Sequence, residues 1–313
     1  MTKVYFNHDG GVDDLVSLFL LLQMDNLELI GISTIGADCY LEPSVRASIK
    51  IINRFSKQCL QVAPSYERGK NPFPKEWRMH ALFMDALPML NESHIHKRSK
   101  MSDYEAYEDL IQKVKASNEK VTLLFTGPLT DLAKAISCDK SFLKNVNKLV
   151  WVGGTFLEKG NVEEPEHDGT AEWNAFWDPE AVKTVFDSDI KIDMVALEST
   201  NQVPLTDNVR KHWADKRSYV GVDFLGVSYA ALPPLTHFAT NSTYFLWDVL
   251  TTAYVGKPKL VKSVKMNVDV VSHGPSQGKT FRDDNGRKVN VINYVERNVF
   301  FDYIMRLAQN VEA

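Results

Sequence analysis

Short apolar runs alternate along the chain with longer amphipathic stretches, and each such pair predicts a strand followed by a helix. The pattern places strands at residues 3–6, 29–34, 121–125, 149–152 and 192–195, and helices at 13–24, 42–55, 129–136 and 179–186. Strands that alternate with helices favour a mostly parallel sheet with helices on its faces. We therefore predict an α/β fold, a single domain built on an open, Rossmann-like sheet.

Two long stretches, residues 64–102 and 220–244, do not follow this alternation. The first is rich in Pro, Lys and His, and the second is rich in Gly, Pro, Thr and aromatic residues. Long irregular segments within a compact domain often carry function. We therefore predict that both are loop insertions near a site, within one domain that spans residues 1–313.

The residues that follow the predicted strands are polar or small, and they mark the edge of the sheet where a site is expected. In an open α/β sheet, ligands bind outside the carboxyl ends of the strands. The residues that the sequence places at this edge are Asn7, Asp9, Asp38, Thr126 and Gly153.

The composition of the 313 residues is that of a globular protein, and it excludes several classes of partner. The formal net charge is −4, without the basic excess of proteins that bind nucleic acids or membrane surfaces. We therefore expect a small-molecule ligand, no nucleic acid and no membrane. The most apolar run, residues 15–22, is too short for a membrane span, which needs roughly twenty residues.

The N-terminus and the cysteines favour a reducing, cytoplasmic environment. Residues 1–6 lack the features of a secretory signal. The three cysteines, Cys39, Cys59 and Cys138, have neither a paired nor a metal-ligand spacing. We expect a cytoplasmic protein whose cysteines are buried apolar fillers.

An acidic loop joins the first predicted strand to the first helix. Residues 7–14 read Asn-His-Asp-Gly-Gly-Val-Asp-Asp, which places Asp9, Asp13 and Asp14 within six residues. Carboxylates this close raise one another's pKa, whereas a bound divalent cation keeps them ionised. Oxygen ligands favour calcium or magnesium. Asp13 and Asp14 alone also fit a second interpretation, in which they complement the dipole at a helix N-terminus; Asp9, on the strand side, favours the cation.

Thr126 and Asp248 offer further oxygen ligands from distant parts of the chain. Each also has a structural interpretation. Thr126 fits a turn at the end of a strand, and Asp248 fits the cap of a helix over residues 249–254.

Together these segments resemble the inosine-uridine type nucleoside hydrolases, whose signature is an acidic loop of the form D-x-D-x-x-x-D-D. The similarity extends over nearly the whole chain. The matching segments are residues 7–14, the T-G-P-L turn at 126–129, the Gly and Asn segments at 152–154 and 160–162, residues 172–174, the helix start at 178–181, and 247–248 with 253–254.

Longer strings resemble the purine-specific branch of that family, which prefers inosine, adenosine and guanosine. These strings are residues 71–78, 168–174 and 199–204. Where the pyrimidine-tolerant branch commonly has a histidine before the last metal aspartate, this chain has Trp247. The chain departs from the family pattern at Glu198, where an aspartate is usual, and at Asn7, where the first aspartate of the loop is expected. The amide at Asn7 is expected to lower the local charge and weaken metal binding.

The resemblance implies a calcium-dependent enzyme that hydrolyses the N-glycosidic bond of purine ribonucleosides to free base and ribose. It implies that calcium is held by Asp9, Asp14, Asp248 and the Thr126 carbonyl, and that Asp9 takes the proton of the attacking water. The residues that it places on the substrate are Asp13, Asn161, Glu172 and Asn174 at the ribose, Trp77 and Trp247 around the base, and Trp173 within the ribose motif. From its position after the second strand, we expect Asp38 to face the base or the outer shell of the metal. Members of that family usually form homodimers or tetramers, and we expect a homodimer.

Other interpretations stay open for the whole chain and for single residues. A haloacid-dehalogenase-like phosphatase also has an acidic loop after a strand, but its nucleophile would stand at Asn7, and an amide cannot serve. Asn7 alone favours a ribonucleoside- or ribose-binding protein without turnover, and a pyrimidine-tolerant hydrolase is a further alternative. Taken singly, the tryptophans fit a core, and Glu172 with Asn174 fits a capped strand-end turn. We expect His8 and His237 to be structural.

Overall fold

Strands and helices alternate along most of the chain, of which a computed structural model describes residues 1–230 and 244–311. The strands of this part are Thr2–His8 (β1), Leu27–Ile35 (β2), Gln61–Ser65 (β3), Lys100–Met101 (β4), Val121–Phe125 (β5), Val146–Val152 (β6), Ile192–Val195 (β7), Val261–Val270 (β8), Thr280–Arg282 (β9) and Arg287–Val295 (β10). Its α-helices are Val12–Leu21 (α1), Leu41–Phe55 (α2), His80–Asp85 (α3), Ala106–Ala116 (α4), Thr130–Cys138 (α5), Trp173–Trp177 (α6), Pro179–Phe186 (α7), Leu197–Thr200 (α8), Asp207–Asp215 (α9), Val220–Ala230 (α10), Trp247–Gly256 (α11) and Arg297–Gln309 (α12). Short 3₁₀ helices cover Trp77–Met79, Pro88–Leu90, Lys140–Asn145 and Pro258–Leu260.

All of these strands belong to one sheet, in the order β4-β3-β2-β1-β5-β6-β7-β10-β8-β9. Neighbouring strands are parallel from β4 to β10, and β8 runs antiparallel to both β10 and β9. The predicted α/β fold, a single domain with a mostly parallel sheet flanked by helices, is confirmed. The order of the strands reverses between β1 and β5, and such a reversal opens a crevice at the carboxyl ends of the strands.

The register brings the ends of the central strands to one level. Asn7 in β1 lies opposite Ser33 in β2 and Phe125 in β5. Asp9 and Thr126, which follow these positions, therefore leave the sheet at the same edge. Both central strands are buried over most of their length, as expected where helices cover both faces of a parallel sheet.

Aromatic side chains attach helices to both faces of the sheet. On one face, Phe19 of α1, Phe55 of α2 and Phe224 of α10 form a triangle of rings with centroids 4.8–5.0 Å apart. In the core cluster on the other face, Trp151 of β6 meets Phe186 of α7 edge-on at 6.3 Å. Full burial of a phenylalanine stabilises a fold by about 1.5–3 kcal/mol, so the Phe19 triangle holds α10 firmly against α1 and α2.

Residues 220–244 differ from the prediction of a loop insertion. Val220–Ala230 forms helix α10, with Phe224 and Leu225 buried, while residues 231–243 lie outside the described part. The helix is apolar nearly all round, so it lacks the one-sided pattern by which a surface helix is recognised. Residues 64–102 are mostly irregular, and they contain the short helix α3, two 3₁₀ turns and β4.

The cysteines also differ from the expectation that all of them are buried. Cys39 is buried, whereas Cys59 and Cys138 are exposed. Cys59 lies in the turn before β3 and Cys138 is the last residue of α5, and such element ends lie at the surface. None of the helices in the described ranges combines the length and apolar character that a membrane crossing needs.

Candidate active site

The β1–α1 turn places three carboxylates in the interior of the protein. Gly10 has a φ of 85°, in the left-handed region, and a Cβ there would lie 1.9 Å from Ser44 Oγ. A glycine is therefore required at the point where the chain turns from β1 into α1. The side chains that this turn delivers to the carboxyl edge of the sheet are Asp9, Asp13 and Asp14, which are only 3%, 1% and 1% exposed.

Asp14 connects the start of α1 to the end of β5. Its carboxylate accepts a hydrogen bond from the backbone N–H of Gly11 at 2.8 Å and another from Thr126 Oγ1. The carbonyl oxygen of Thr126 accepts from Asn174 Nδ2 at 3.0 Å. Gly127 packs directly on Asp9, because a Cβ on this glycine would lie 3.0 Å from the Asp9 Cβ. Asp9, Asp14 and Thr126 are thus fixed beside one another.

Asp13 connects α1 to α11, far along the chain. Its Oδ2 accepts from the backbone N–H of Asp248 at 2.6 Å and of Val249 at 3.3 Å. Its Oδ1 accepts from the hydroxyl of Tyr229 in α10. An ionised carboxylate has room for about four such bonds. These contacts bring Asp248 to the three acids of the β1–α1 turn, with the N-terminus of α11 directed at Asp13.

Asp38 completes a cluster of carboxylates around the turn. A Cβ on Gly11 would lie 2.6 Å from Asp38 Oδ2, so the carboxylate rests against the acidic loop. The backbone N–H of Asp38 also donates to Asp9 Oδ2 at 3.4 Å. The sequence-predicted acids therefore meet in one acid cluster, defined here as Asp9, Asp13, Asp14, Asp38 and Asp248.

The electrostatics of the acid cluster favour a bound cation. Burial raises the pKa of Asp9 and Asp248, and the charges of their neighbours in the cluster raise both further. Burial also raises the pKa of Asp14, that of Asp13 to about 7 and that of Asp38 to about 8. Among the described residues, no Lys, Arg or His forms an ion pair within 4.0 Å of Asp9, Asp14 or Asp248.

Buried carboxylates without a protein counter-charge are costly unless a metal compensates them. The donor atoms are oxygens, which hard divalent cations such as calcium and magnesium prefer. The residues present therefore fit such an ion.

Glu172 and Asn174 lie at the same edge of the sheet, with their polar groups bonded to the backbone. The Glu172 carboxylate accepts from the N–H of Gly154 at 2.8 Å, Asn174 at 2.9 Å and Ala175 at 3.1 Å. It caps α6, as the structural interpretation expects, and burial raises its pKa to about 7. Asn174 Nδ2 also donates to the carbonyl of Val152 at 3.0 Å, which joins the ends of β5 and β6.

Asn161 belongs to the same segment. Its Oδ1 accepts from the backbone N–H of Trp173 at 3.1 Å. Asn161 is only partly buried, so it brings an amide group towards the surface side of this edge.

Aromatic side chains lie beside the acids in two groups. In the first, Trp77 meets Trp173 edge-on at 5.2 Å, and Phe73 stacks on Trp173 at 5.2 Å. In the second, Trp247 contacts Tyr244 at 4.7 Å, immediately before Asp248. The indole Nε1 atoms of Trp173 and Trp247 are buried without a hydrogen-bond partner among the described residues. Trp77 and Trp247 are both partly exposed, as a residue must be to contact a ligand.

The amide of Asn7 is hydrogen-bonded to a carboxylate that was not predicted from the sequence. Asn7 Nδ2 donates to Asp131 Oδ2 at 2.8 Å and to Ser33 Oγ at 2.9 Å. Ser65 Oγ donates to Asp131 Oδ1 at 2.5 Å. The negative charge that Asn7 removes from β1 is therefore present on α5. No local spacing connects these residues, so the sequence alone gave no signal for the pair.

Tyr229 and Glu198 also support the site. Tyr229 was missed because it reaches Asp13 from a helix 216 positions along the chain. Glu198 accepts from the backbone N–H of Phe156 at 2.5 Å and holds the loop after β6. His8 is fully buried, stacks on Phe6 at 5.0 Å and has a pKa lowered by burial to about 3, which agrees with a structural role. His237 lies outside the described residues.

Comparison with known proteins agrees with this arrangement. The family of inosine-uridine preferring nucleoside hydrolases matches residues 4–302, which is nearly the whole chain. The chain belongs to this family. Its carboxyl-edge site is therefore the candidate active site of a nucleoside hydrolase.

Solved structures extend the match to the whole fold. An inosine-uridine preferring nucleoside hydrolase from Bacillus anthracis is 58% identical, with a TM-score of 0.95 and coverage of 99% of this chain and 100% of that one. A purine-preferring ribonucleoside hydrolase from Gardnerella vaginalis is 25% identical, with a TM-score of 0.78 and coverage of 98% and 99%.

Curated relatives include nucleosidases named for a pyrimidine. Uridine nucleosidase 1 of Arabidopsis thaliana is 32% identical over 208 residues, which are 66% of this chain and 59% of the plant protein. The chain thus spans about six-tenths of the length of the plant relatives that it matches. Substrate names within the family therefore include both purine and pyrimidine nucleosides.

Proposed function

We propose that this chain hydrolyses the N-glycosidic bond of purine ribonucleosides to free base and ribose, with calcium as its metal. The observation that carries the proposal is the convergence of the buried carboxylates Asp9, Asp13 and Asp14 with the partly buried Asp248 of α11 on one edge, beside partly exposed tryptophans. The family supports the reaction type, and the geometry supports the roles of the residues.

The cation is assigned to Asp9, Asp14, Asp248 and the carbonyl of Thr126. When bound, calcium compensates the carboxylates and makes a nearby water molecule more acidic. The contact between Thr126 Oγ1 and Asp14 supports this set. Asn174 Nδ2 already donates to the Thr126 carbonyl, which leaves one lone pair of that oxygen free for the ion.

Asp9 is assigned as the general base. Its carboxylate accepts a long bond, 3.4 Å, from the N–H of Asp38, and it belongs to the set assigned to the cation. A cation held there keeps Asp9 ionised, which a proton acceptor requires. Water attacks the anomeric carbon of the ribose while the bond to the purine nitrogen breaks; the water proton passes to Asp9, and the purine keeps the bonding electron pair and takes up a proton from solvent. In the transition state the ribose resembles an oxocarbenium ion.

Asp13, Asn161, Glu172 and Asn174 are assigned to the ribose hydroxyls. Asp13 and Glu172 are already held by backbone N–H groups, which preorganises them and leaves acceptor positions for a hydroxyl. A site built to bond hydroxyls leaves buried polar groups unpaired when a hydroxyl is missing, and it rejects such analogues strongly. We therefore expect poor hydrolysis of 2′-deoxyribonucleosides.

Trp77 and Trp247 are assigned to the base, with Trp173 packed behind Trp77 and Asp38 at the side of the base. Stacking on an aromatic side chain contributes about 1–3 kcal/mol per base, and a purine presents a larger ring surface than a pyrimidine. The relatives named uridine nucleosidases favour a second candidate, a hydrolase that also accepts pyrimidine ribonucleosides. Asn7 favours a binder without turnover, but the Asp131 carboxylate beside it weakens that alternative.

A substrate panel tests the proposal. Purified protein with calcium is incubated with inosine, adenosine, guanosine, uridine, cytidine and 2′-deoxyinosine, and free base and ribose are measured. We expect release from the three purine ribonucleosides at rates well above the others. Equal rates with uridine would favour the pyrimidine-tolerant candidate, and tight binding without release of base would favour the binder.

Assembly and location follow from the family resemblance and the composition. We propose a homodimer that acts in the cytoplasm on a small nucleoside, without a nucleic-acid or membrane partner. Sedimentation of the purified protein tests the dimer, and a monomer at micromolar concentration would contradict it.

A further inference from the structure

Three different donor side chains meet where the loop after β2 contacts the start of α3. One potential ligand atom from each of Asp38, Cys39 and His80 lies within 4.8 Å of the other two. Asp38 and Cys39 follow β2, and His80 is the first residue of α3. A thiol and an imidazole distinguish this group from the oxygen-only acid cluster. We name it the Cys39 group.

His80 is poised as a neutral nitrogen donor. Its side chain is only 5% exposed, and its Nε2 atom is buried without a hydrogen-bond partner in the described part of the chain. A buried polar atom without a partner is costly and calls for an explanation. Burial lowers the pKa of His80 to about 4, so the ring is neutral at pH 7. Neutral imidazole is the form that binds metals.

Cys39 is enclosed and only loosely hydrogen-bonded. Its Sγ lies 3.7 Å from the carbonyl oxygen of Trp77 and 3.9 Å from Asp38 Oδ2. Burial and the Asp38 charge raise the pKa of the thiol, which makes it unreactive towards oxidants. Coordination to a metal removes the proton of such a thiol outright. Redox sensing is therefore a poor explanation for this side chain, whereas metal binding fits it.

We propose that Asp38, Cys39 and His80 form a second cation site, suited to Zn²⁺. Thiolate, imidazole and carboxylate together are a donor set that zinc accepts, whereas calcium takes only the oxygen. A tetrahedral zinc holds its ligand atoms about 3.5 Å apart, given bonds of about 2.0–2.3 Å. The ligand atoms of the Cys39 group lie within 4.8 Å of one another, and Cys39 Sγ is already 3.9 Å from Asp38 Oδ2, so they would move together by about 1 Å to reach that spacing. Three protein ligands leave a fourth position for water.

Zinc in this site would fasten the segment that carries Trp77 to the end of β2. These parts already touch: the backbone N–H of Tyr40 donates to the carbonyl of Arg78 at 3.2 Å, and the Arg78 side-chain Nη2 donates to the carbonyl of Gly36 at 3.2 Å. Zinc would also withdraw the Asp38 carboxylate from the acidic loop. If Asp38 serves the nucleoside as in the proposed function, zinc inhibits hydrolysis through this site.

Zinc binding is measured by calorimetry on protein saturated with calcium, so that the acid cluster is occupied. The variants Cys39→Ser and His80→Gln remove one donor each, and Cys59→Ser is the matched control because Cys59 is exposed and outside the group. We expect one zinc per chain in the parent and in the control, and an affinity at least tenfold weaker in the two test variants. Equal affinity in all four proteins would overturn the proposal, as would displacement of zinc by calcium.

A spectroscopic test needs no change at the site itself. In the double variant Cys59→Ser/Cys138→Ser, Cys39 is the remaining thiol of the three in the sequence. Added Co²⁺ should then give the near-ultraviolet absorption band of a thiolate–cobalt bond, with one equivalent at saturation. Absence of this band refutes the site however the other variants fold. Both measurements report binding directly, so a protein that failed to hydrolyse nucleosides would refute the proposed function and leave the zinc site to be judged separately.

Discussion

The pairing of Asn7 with Asp131 gives a sharp test of the buried polar network under the site. Asn7 Nδ2 donates to Asp131 Oδ2 at 2.8 Å, so Asn7→Asp replaces a donor with a second buried carboxylate. Two charges at that distance repel by about 6 kcal/mol at an effective dielectric constant of 20. We therefore expect the variant pair to keep one shared proton, as adjacent carboxylates do.

The loss of stability in Asn7→Asp follows from the numbers of protons that its folded and unfolded states bind. Burial raises the pKa of Asp131 to about 6, so the parent loses this proton above about pH 6, whereas the folded variant keeps one. The unfolded variant binds none there, because ordinary aspartates have pKa values of about 3.9. One extra proton in the folded state lowers the free energy of unfolding by about 1.4 kcal/mol for each pH unit. Between pH 6 and pH 8 the variant should therefore lose about 2.7 kcal/mol, whereas the parent, half protonated at pH 6, loses about 0.4 kcal/mol, so Asn7→Asp should lose about 2 kcal/mol relative to the parent.

Urea unfolding at pH 6, 7 and 8 measures this loss. The matched control is the swap Asn7→Asp/Asp131→Asn, which again pairs one carboxylate with one amide and lets Ser65 donate to the new amide oxygen. The swap should stay within about 1 kcal/mol of the parent at each pH. A loss in Asn7→Asp that does not grow with pH, or a swap no more stable than Asn7→Asp at pH 8, would refute the reasoning.

Further predictions concern Asp9, Trp247, Tyr229 and the metal. Asp9→Asn should abolish release of hypoxanthine from inosine with little change in melting temperature; retained activity would exclude Asp9 as the base. Trp247→Ala should lower kcat/KM for inosine by about 5- to 150-fold, since stacking contributes about 1–3 kcal/mol, and an equal loss of affinity for a ribose analogue would mark Trp247 as structural. Tyr229→Phe removes the hydroxyl that donates to Asp13, which is assigned to the ribose, and should lower kcat/KM for inosine at least fivefold; an unchanged kcat/KM would mean that Tyr229 does not support the ribose site. Chelation should stop hydrolysis and added calcium should restore it, and full activity after chelation would contradict a metal role.

Much of the fold could be predicted because its signals are local. Residues 121–125 and 179–186 were predicted as a strand and a helix, and the structure has the same bounds. The acidic loop was equally visible, since Asp9, Asp13 and Asp14 stand together in the sequence. Parallel strands then bring their carboxyl ends to one edge, so the side of the sheet that bears these acids also followed from the pattern.

The remaining parts depend on contacts between distant residues. Helix α10 was not predicted, because it is apolar nearly all round and lacks an amphipathic pattern. Its Tyr229 reaches Asp13 only through tertiary packing. Asp131 could not be paired with Asn7, because 124 positions separate them. Exposure of Cys59 and Cys138 depends on how the ends of their elements meet the surface. Local patterns therefore located the acids, but the residues that hold the acids in place required coordinates.

The bond from the backbone of Asp248 to Asp13 has a consequence for synthesis on the ribosome. The two residues are 235 positions apart, so a growing chain presents the first acids long before α11 has emerged. Domains larger than about 150 residues often fold through populated intermediates, and here any intermediate without α11 lacks one carboxylate of the set. The proposed nucleoside turnover therefore requires a chain that has been synthesised through α11, because this helix brings the final acid to the first.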